Sequence, residues 1–217
     1  SASTGGSRLG LKTGDKITVY DLLYGLMMRS GNDCAVALAE HTAGSISSFA
    51  DLMNQKAIAL GLSNTHFVTP HGLDEDEHYT TAYELALLSN YAMNNEIFAK
   101  IVRAKNYTRT INGYPKSLTN TNELLGSLNG VYGIKTGFTN GANRCLVTCC
   151  KRGEMDLICV VLGADTKKYR TTDSIKLLEY SFSNFKYVNI EKMVSNYFET
   201  WKEIRRGCKG NQPRDPL

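Results

Sequence analysis

The sequence predicts an α+β fold, with helices first, an antiparallel sheet after them and a helix behind the sheet. Three observations carry this prediction. Residues 20–102 place apolar side chains at helical spacing, interrupted by Gly, Ser and Asn. Asn112-Gly113 sits between two strand-like runs, a strong hairpin signal. Three further strand-like runs, Val131–Thr139, 145–151 and 156–163, are joined by turns holding Asn140-Gly141 and Arg152-Gly153, the pattern of an antiparallel meander.

In order, residues 1–16 form a glycine-rich, irregular lead-in, and 17–19 read as a short strand. Thr18 caps a helix over 20–29, with Leu22, Leu23, Leu26 and Met27 at helical spacing, and Ser30-Gly31-Asn32-Asp33 stops it. An alanine- and leucine-rich helix follows over 33–41, and a third over 45–60 ends at Gly61. Residues 64–79 are a loop turning at Thr69-Pro70-His71-Gly72. Thr80 or Thr81 caps a helix reaching Met93, and a fifth covers 95–102. The hairpin pairs 107–111 with 116–118, and a polar loop over 119–130 leads into the meander. A helix over 166–185 turns Ile175, Leu178 and Phe182 to a core. Residues 190–206 carry a sharp apolar stripe, Ile190, Met193, Val194, Tyr197, Phe198, Trp201 and Ile204. Residues 207–217 read as a disordered tail. The expected organisation is one domain over 1–188, then an amphipathic helix and tail over 189–217.

Composition narrows the function classes. The chain has 217 residues, 42% hydrophobic, enough for a substantial core. Its net charge of +4 comes without a basic block interleaved with aromatics, which argues against nucleic acid. The longest apolar run, 157–164, is far too short to cross a membrane. Residues 1–20 are polar and show no signal peptide, which leaves the compartment open. Six cysteines form no C-x-x-C pair. Cys145, Cys149, Cys150 and Cys159 fall in strand-like runs, where cysteine behaves as a small buried hydrophobe.

The run Val131–Thr139 holds Lys135-Thr136-Gly137. On a strand, Lys135 and Gly137 point to one face, and Ile134, Thr136 and Phe138 to the other. Gly133 and Gly137 flank the cation and let a ligand or another backbone come close. On a sheet edge, free N–H groups could hold an anion or a carbonyl oxygen. The tripeptide alone proves little, because Lys12-Thr13-Gly14 repeats it in what reads as a surface turn. Ser30-Gly31-Asn32, at a helix–helix junction, can be a simple cap and breaker. The same geometry could also aim a hydroxyl and an amide into open space, to relay a proton and hold a substrate amide.

Ser-x-Asn followed by Lys-Thr-Gly resembles two of the three signatures of the penicillin-recognising serine peptidases. The surrounding segments sharpen the match: 4–11 (TGGSRLGL), 21–40 (DLLYGLMMRSGNDCAVALAE), 64–74 (NTHFVTPHGLD), 79–85 (YTTAYEL) and 133–139 (GIKTGFT). Together they are similar to the low-molecular-mass D-alanyl-D-alanine carboxypeptidases, over roughly residues 4–200. The resemblance implies a DD-peptidase/β-lactamase-like fold and an extracytoplasmic, cell-envelope enzyme. It implies no metal or cofactor. The partners implied are peptidoglycan stem peptides ending in D-Ala-D-Ala, and β-lactams as their mimics. By the resemblance, Ser30 shuttles a proton to the leaving amine, and Asn32 holds the substrate amide. Lys135 keeps the site cationic and supports Ser30. Thr136, beside Gly137, binds the terminal carboxylate. The N–H of Phe138 is half of the oxyanion hole.

One departure stands out. The family's nucleophile and base lie in a Ser-x-x-Lys motif N-terminal to Ser-x-Asn. The single match here, Ser183–Lys186, comes after Lys-Thr-Gly and in the wrong order. The resemblance therefore places the start of these residues downstream of the nucleophile and predicts that they alone are inactive, with a cavity or an exposed apolar groove where a core helix belongs. A non-catalytic peptidoglycan-binding or regulatory module is the competing reading. A class A β-lactamase is disfavoured, because no Glu-x-x-Leu-Asn segment is present. The stripe over 190–206 either packs on its own domain, as its large rings favour, or lies on a membrane surface, helped by Lys202, Arg205 and Arg206. His66, His71 and the acidic run 74–77 read as structural and solvated.

Overall fold

A computed structural model describes residues 4–208. They divide into two compact units, the first ending at Asn184 and the second beginning at Phe185. The first opens with α1 (Val19–Arg29), α2 (Asn32–Ala43), α3 (Ile46–Ala59), α4 (Ala82–Met93) and α5 (Glu96–Arg103). The strands β1 (Asn106–Ile111), β2 (Tyr114–Thr119), β3 (Val131–Thr139), β4 (Asn143–Arg152) and β5 (Met155–Ala164) follow, and α6 (Lys167–Asn184) closes the unit. The second unit holds α7 (Ile190–Cys208). This is the expected α+β arrangement.

Caps set the helix starts. The side chains of Thr18, Ser45, Thr81 and Asn95 accept from Asp21, Ser48, Glu84 and Phe98 N–H respectively, each satisfying a donor that a helix N-terminus leaves free. The strand expected at 17–19 does not form. Thr18 is extended but serves as the cap of α1, so the β-branched run marks a helix entry. The hairpin turns on Asn112 and Gly113, both at positive φ (52° and 82°), as a tight two-residue turn requires.

The meander forms in the order β3-β4-β5, all antiparallel, and β1-β2 stand as a separate sheet. Among the described residues β3 is thus an edge strand with a free side, while its core face is covered. Val102 of α5 packs with Ile134 and Cys149, and Leu178 of α6 packs with Cys150 and Cys159. Each such aliphatic side chain, fully buried, contributes about 1.5–3 kcal/mol. Cys34, Cys149, Cys150 and Cys159 are buried and Cys145 half-buried, all as free thiols.

In the second unit the amphipathic helix forms and reaches Cys208, past the expected end at 206. Its stripe residues Ile190, Tyr197 and Trp201 are solvent-exposed. The remainder of the expected tail, from 209, lies outside the described residues. Among the described residues no helix is long and apolar enough to cross a membrane.

Candidate active site

The Ser30 corner is built by close approach of α1 and α2. A Cβ on Gly25 would come 2.9 Å from both Cys34 Sγ and Leu9 Cδ2, and one on Gly31 would come 2.9 Å from the same sulfur. Only glycine fits at either place without displacing the buried Cys34. Ser30 ends α1 in the left-handed region (φ 54°, ψ 41°), uncommon for a residue with a Cβ. The turn aims its hydroxyl at β3.

The irregular lead-in is pinned to this corner. Buried Asp33 accepts backbone N–H bonds from Leu9 (2.9 Å), Gly10 (2.8 Å) and Leu11 (2.9 Å). Asn32 N–H donates to Ser7 O at 2.8 Å, and Asn32 Nδ2 donates to Gly5 O at 2.8 Å. The Asn32 amide is therefore held by its own chain through one N–H. Its oxygen has no protein partner among the described residues.

From the other side, β3 brings Lys135. Its Nζ donates to Ser30 Oγ, and also to the carbonyl of Thr136 at 2.7 Å. Burial, with nearby Arg170 adding, pulls the Lys135 pKa down to about 8. Thr136 is buried, and its hydroxyl is paired with that of Thr121 at 2.7 Å. Phe138 is half exposed, and the guanidinium of Arg144, its cross-strand partner on β4, lies 3.6 Å from its ring centroid.

These residues share one cleft of about 510 Å³, in which Ser30, Asn32, Lys135, Thr136, Gly137 and Phe138 all line the wall. The structure thus brings together the whole predicted set. Lys12, from the competing tripeptide, lies in a turn closed by Asp15 N–H to Lys12 O at 3.1 Å and does not line the cleft.

Other residues at the cleft were not legible as site residues. Asp74, expected to be solvated, accepts from Gly141 N–H at 3.1 Å and ties the 64–79 loop to the β3–β4 turn. His71 also lines the wall, and burial lowers its pKa. Arg170, in the first turn of α6, is buried with its Nε unpartnered, and lines a second pocket of about 440 Å³ that shares Ser30, Thr136 and Phe138. No periodicity marks a cation as buried, so the sequence carried no signal for it.

On the third side of Lys135 lies an almost wholly apolar groove of about 460 Å³. Met27 of α1, Leu88 of α4, Phe98 of α5, Ile134 of β3, Leu146 of β4 and Leu162 of β5 line it. Core side chains from six elements face a space that none of them fills, which is unusual in a well-packed interior.

Comparison with known proteins agrees with this geometry. A family model described as D-alanyl-D-alanine carboxypeptidase matches residues 1–166. The chain is 40% identical over 186 residues to the D-alanyl-D-alanine carboxypeptidase DacF of Bacillus subtilis, covering 85% of this chain and 48% of that protein. It is 43% identical over 188 residues to DacC of Escherichia coli, covering 86% and 46%. The chain therefore spans about half the length of these curated relatives. The crystal structure of the Streptomyces K15 DD-transpeptidase superposes with a TM-score of 0.79 at 37% identity, over 82% of this chain and 72% of that one.

Proposed function

The chain belongs to the D-alanyl-D-alanine carboxypeptidase family, and we propose that it carries the Ser-x-Asn and Lys-Thr-Gly walls of a serine-type site acting on peptidoglycan stem peptides. The observation that supports this most is the hydrogen bond from Lys135 to Ser30, made between residues far apart in sequence inside a shared cleft.

The reaction is acyl transfer in two steps. A serine hydroxyl attacks the carbonyl of the D-Ala–D-Ala bond, D-alanine leaves as the amine, and water then hydrolyses the ester. Ser30 relays the proton to the leaving nitrogen. The ammonium of Lys135 stabilises the negative charge that builds up nearby. Thr136, with the buried Arg170 behind it, receives the terminal carboxylate. On the edge of β3 the Phe138 N–H is one donor to the oxyanion. Asn32 accepts from the substrate amide through its side-chain oxygen. A β-lactam presents an amide, strained by its ring, and a carboxylate in the same arrangement, and inhibits by acylating the same serine.

In this reading the nucleophile and its base come from a Ser-x-x-Lys helix supplied from outside these 217 residues. The apolar groove beside Lys135 is the seat for its hydrophobic face. The enzyme then works on the outer side of the bacterial membrane. The test is release of D-alanine from a stem pentapeptide, comparing residues 1–217 with a chain extended upstream through Ser-x-x-Lys. Turnover is expected only from the extended chain, and abolition of that turnover by Lys135→Ala. An extended chain that binds the pentapeptide without releasing D-alanine would favour the binding-module reading.

A further inference from the structure

The pocket on the α6 side of Thr136 carries more positive charge than one substrate carboxylate can use. Arg29, Arg144, Lys167 and Arg170 line it against a single acid, Glu123. Glu123 is already engaged, by Lys167 and by Arg170 at 3.7 Å. Lys135 lines the adjoining cleft, which shares Ser30, Thr136, Gly137 and Phe138 with this pocket. Among the described residues, neither Arg29 nor Arg144 has a carboxylate partner.

Arg144 is also held in place. It faces Phe138 across the β3–β4 ladder, and its guanidinium rests on the Phe138 ring, which leaves its N–H edge free for an acceptor. The cations feel one another: burial pushes the Arg170 pKa down, with Glu123 opposing and Arg144 lowering it further. Like charges so gathered in a concave, partly desolvated pocket favour an anion. A pocket of about 440 Å³ has the scale of a small-ligand site.

We infer that Arg144, with Arg29, forms a second anion subsite beyond Thr136 and Arg170, so that, besides D-alanine, the site accepts a C-terminal residue bearing an acidic side chain in preference to its uncharged isostere. The ligand class is a D-dipeptide terminus whose last residue is dicarboxylic. Its α-carboxylate takes the Thr136 position and its side-chain carboxylate reaches Arg144. The inference rests on the peptidase reading, because it takes the direction of the bound peptide from it.

The test uses the 217-residue chain and needs no turnover. N-acetyl-D-Ala-D-Glu and its uncharged isostere N-acetyl-D-Ala-D-Gln are titrated separately at pH 7 and low salt, and affinity is read from amide shifts of residues lining the cleft. The acidic dipeptide is expected to bind at least about fivefold more tightly, with the ratio shrinking as salt screens the contact. Arg144→Leu should bring the ratio close to one, and Arg144→Lys should keep part of it, which separates charge from folding. Equal binding of the two dipeptides, or a ratio unmoved by Arg144→Leu, overturns the inference and leaves the peptidase reading standing. The absence of shifts from either dipeptide overturns the inference, while D-alanine release by the extended chain tests the peptidase reading separately.

Discussion

Lys135 Nζ donates a hydrogen bond to Ser30 Oγ across 105 residues of sequence. The contact couples the left-handed end of α1 to the edge of β3, and both partners have further constraints. Gly25 and Gly31 fix the corner by admitting Cys34, and the Thr136 carbonyl holds the lysine from its own strand. In the chain extended through its nucleophile, Ser30→Ala is expected to lower kcat for D-alanine release by roughly 10²–10⁴-fold, the range for a lost proton relay. KM should change far less. Steady-state kinetics on a stem pentapeptide measure this.

Lys135 also predicts a pH dependence. Its pKa in the folded chain is about 8, against an ordinary 10.5. Between those values the unfolded chain holds the proton that the folded chain has released. Stability therefore rises with pH across that window, while the cation is lost from the site. Catalytic efficiency toward a carboxylate-terminated peptide should fall above about pH 8. Urea midpoints should move upward from pH 8 to 10, and Lys135→Met should flatten that rise.

Asp33 carries stability rather than chemistry. Burial pushes its pKa up, but the N–H groups of Leu11, Leu9, Gly10 and Cys34 outweigh this, and the net shift is downward from 3.8. Its contribution is complete above that ordinary value and is lost as the pH falls below it. Asp33→Asn removes the charge from these bonds and should cost roughly 1–3 kcal/mol. Chemical denaturation at pH 7 and pH 3 checks both statements, since the difference between variant and parent should shrink in acid.

Gly25→Ala tests the packing of the corner. The added methyl meets Cys34 Sγ and Leu9 Cδ2 at 2.9 Å, closer than real Cβ contacts come. Overpacking of this kind costs about 1–3 kcal/mol. Cys34→Ala in the same chain should recover part of the loss, giving a measurable coupling energy in a double-mutant cycle.

Much of this was legible because local signals agreed with the global fold. Thr18 reads as a cap and caps, and of the two candidates Thr80 and Thr81 it is Thr81 that caps. Val131–Thr139 reads as a strand and is one, over that same span. The three tripeptide positions Ser30, Asn32 and Lys135 were found from motif order, and they line one cleft. Other features needed tertiary structure. Ile17-Thr18-Val19 has strand propensity, yet its middle residue makes a cap bond to Asp21 that decides for helix entry. Motif order assigns Asn32 to a substrate amide, but it does not show that one of its own amide hydrogens goes to Gly5, 27 residues away. Arg144 and Arg170 gain meaning only when β4 and α6 converge on Thr136.

On the function proposed, these residues form the supporting walls of an acyl-transfer site, with the nucleophile on a helix seated in the groove beside Lys135. Intact-protein mass spectrometry after incubation with benzylpenicillin, followed by peptide mapping, tests it most directly. The account predicts one acyl group on the upstream-extended chain, on the serine of Ser-x-x-Lys, and none on residues 1–217. Stoichiometric acylation of the 217-residue chain, mapped to Ser30 or Ser183, would contradict it.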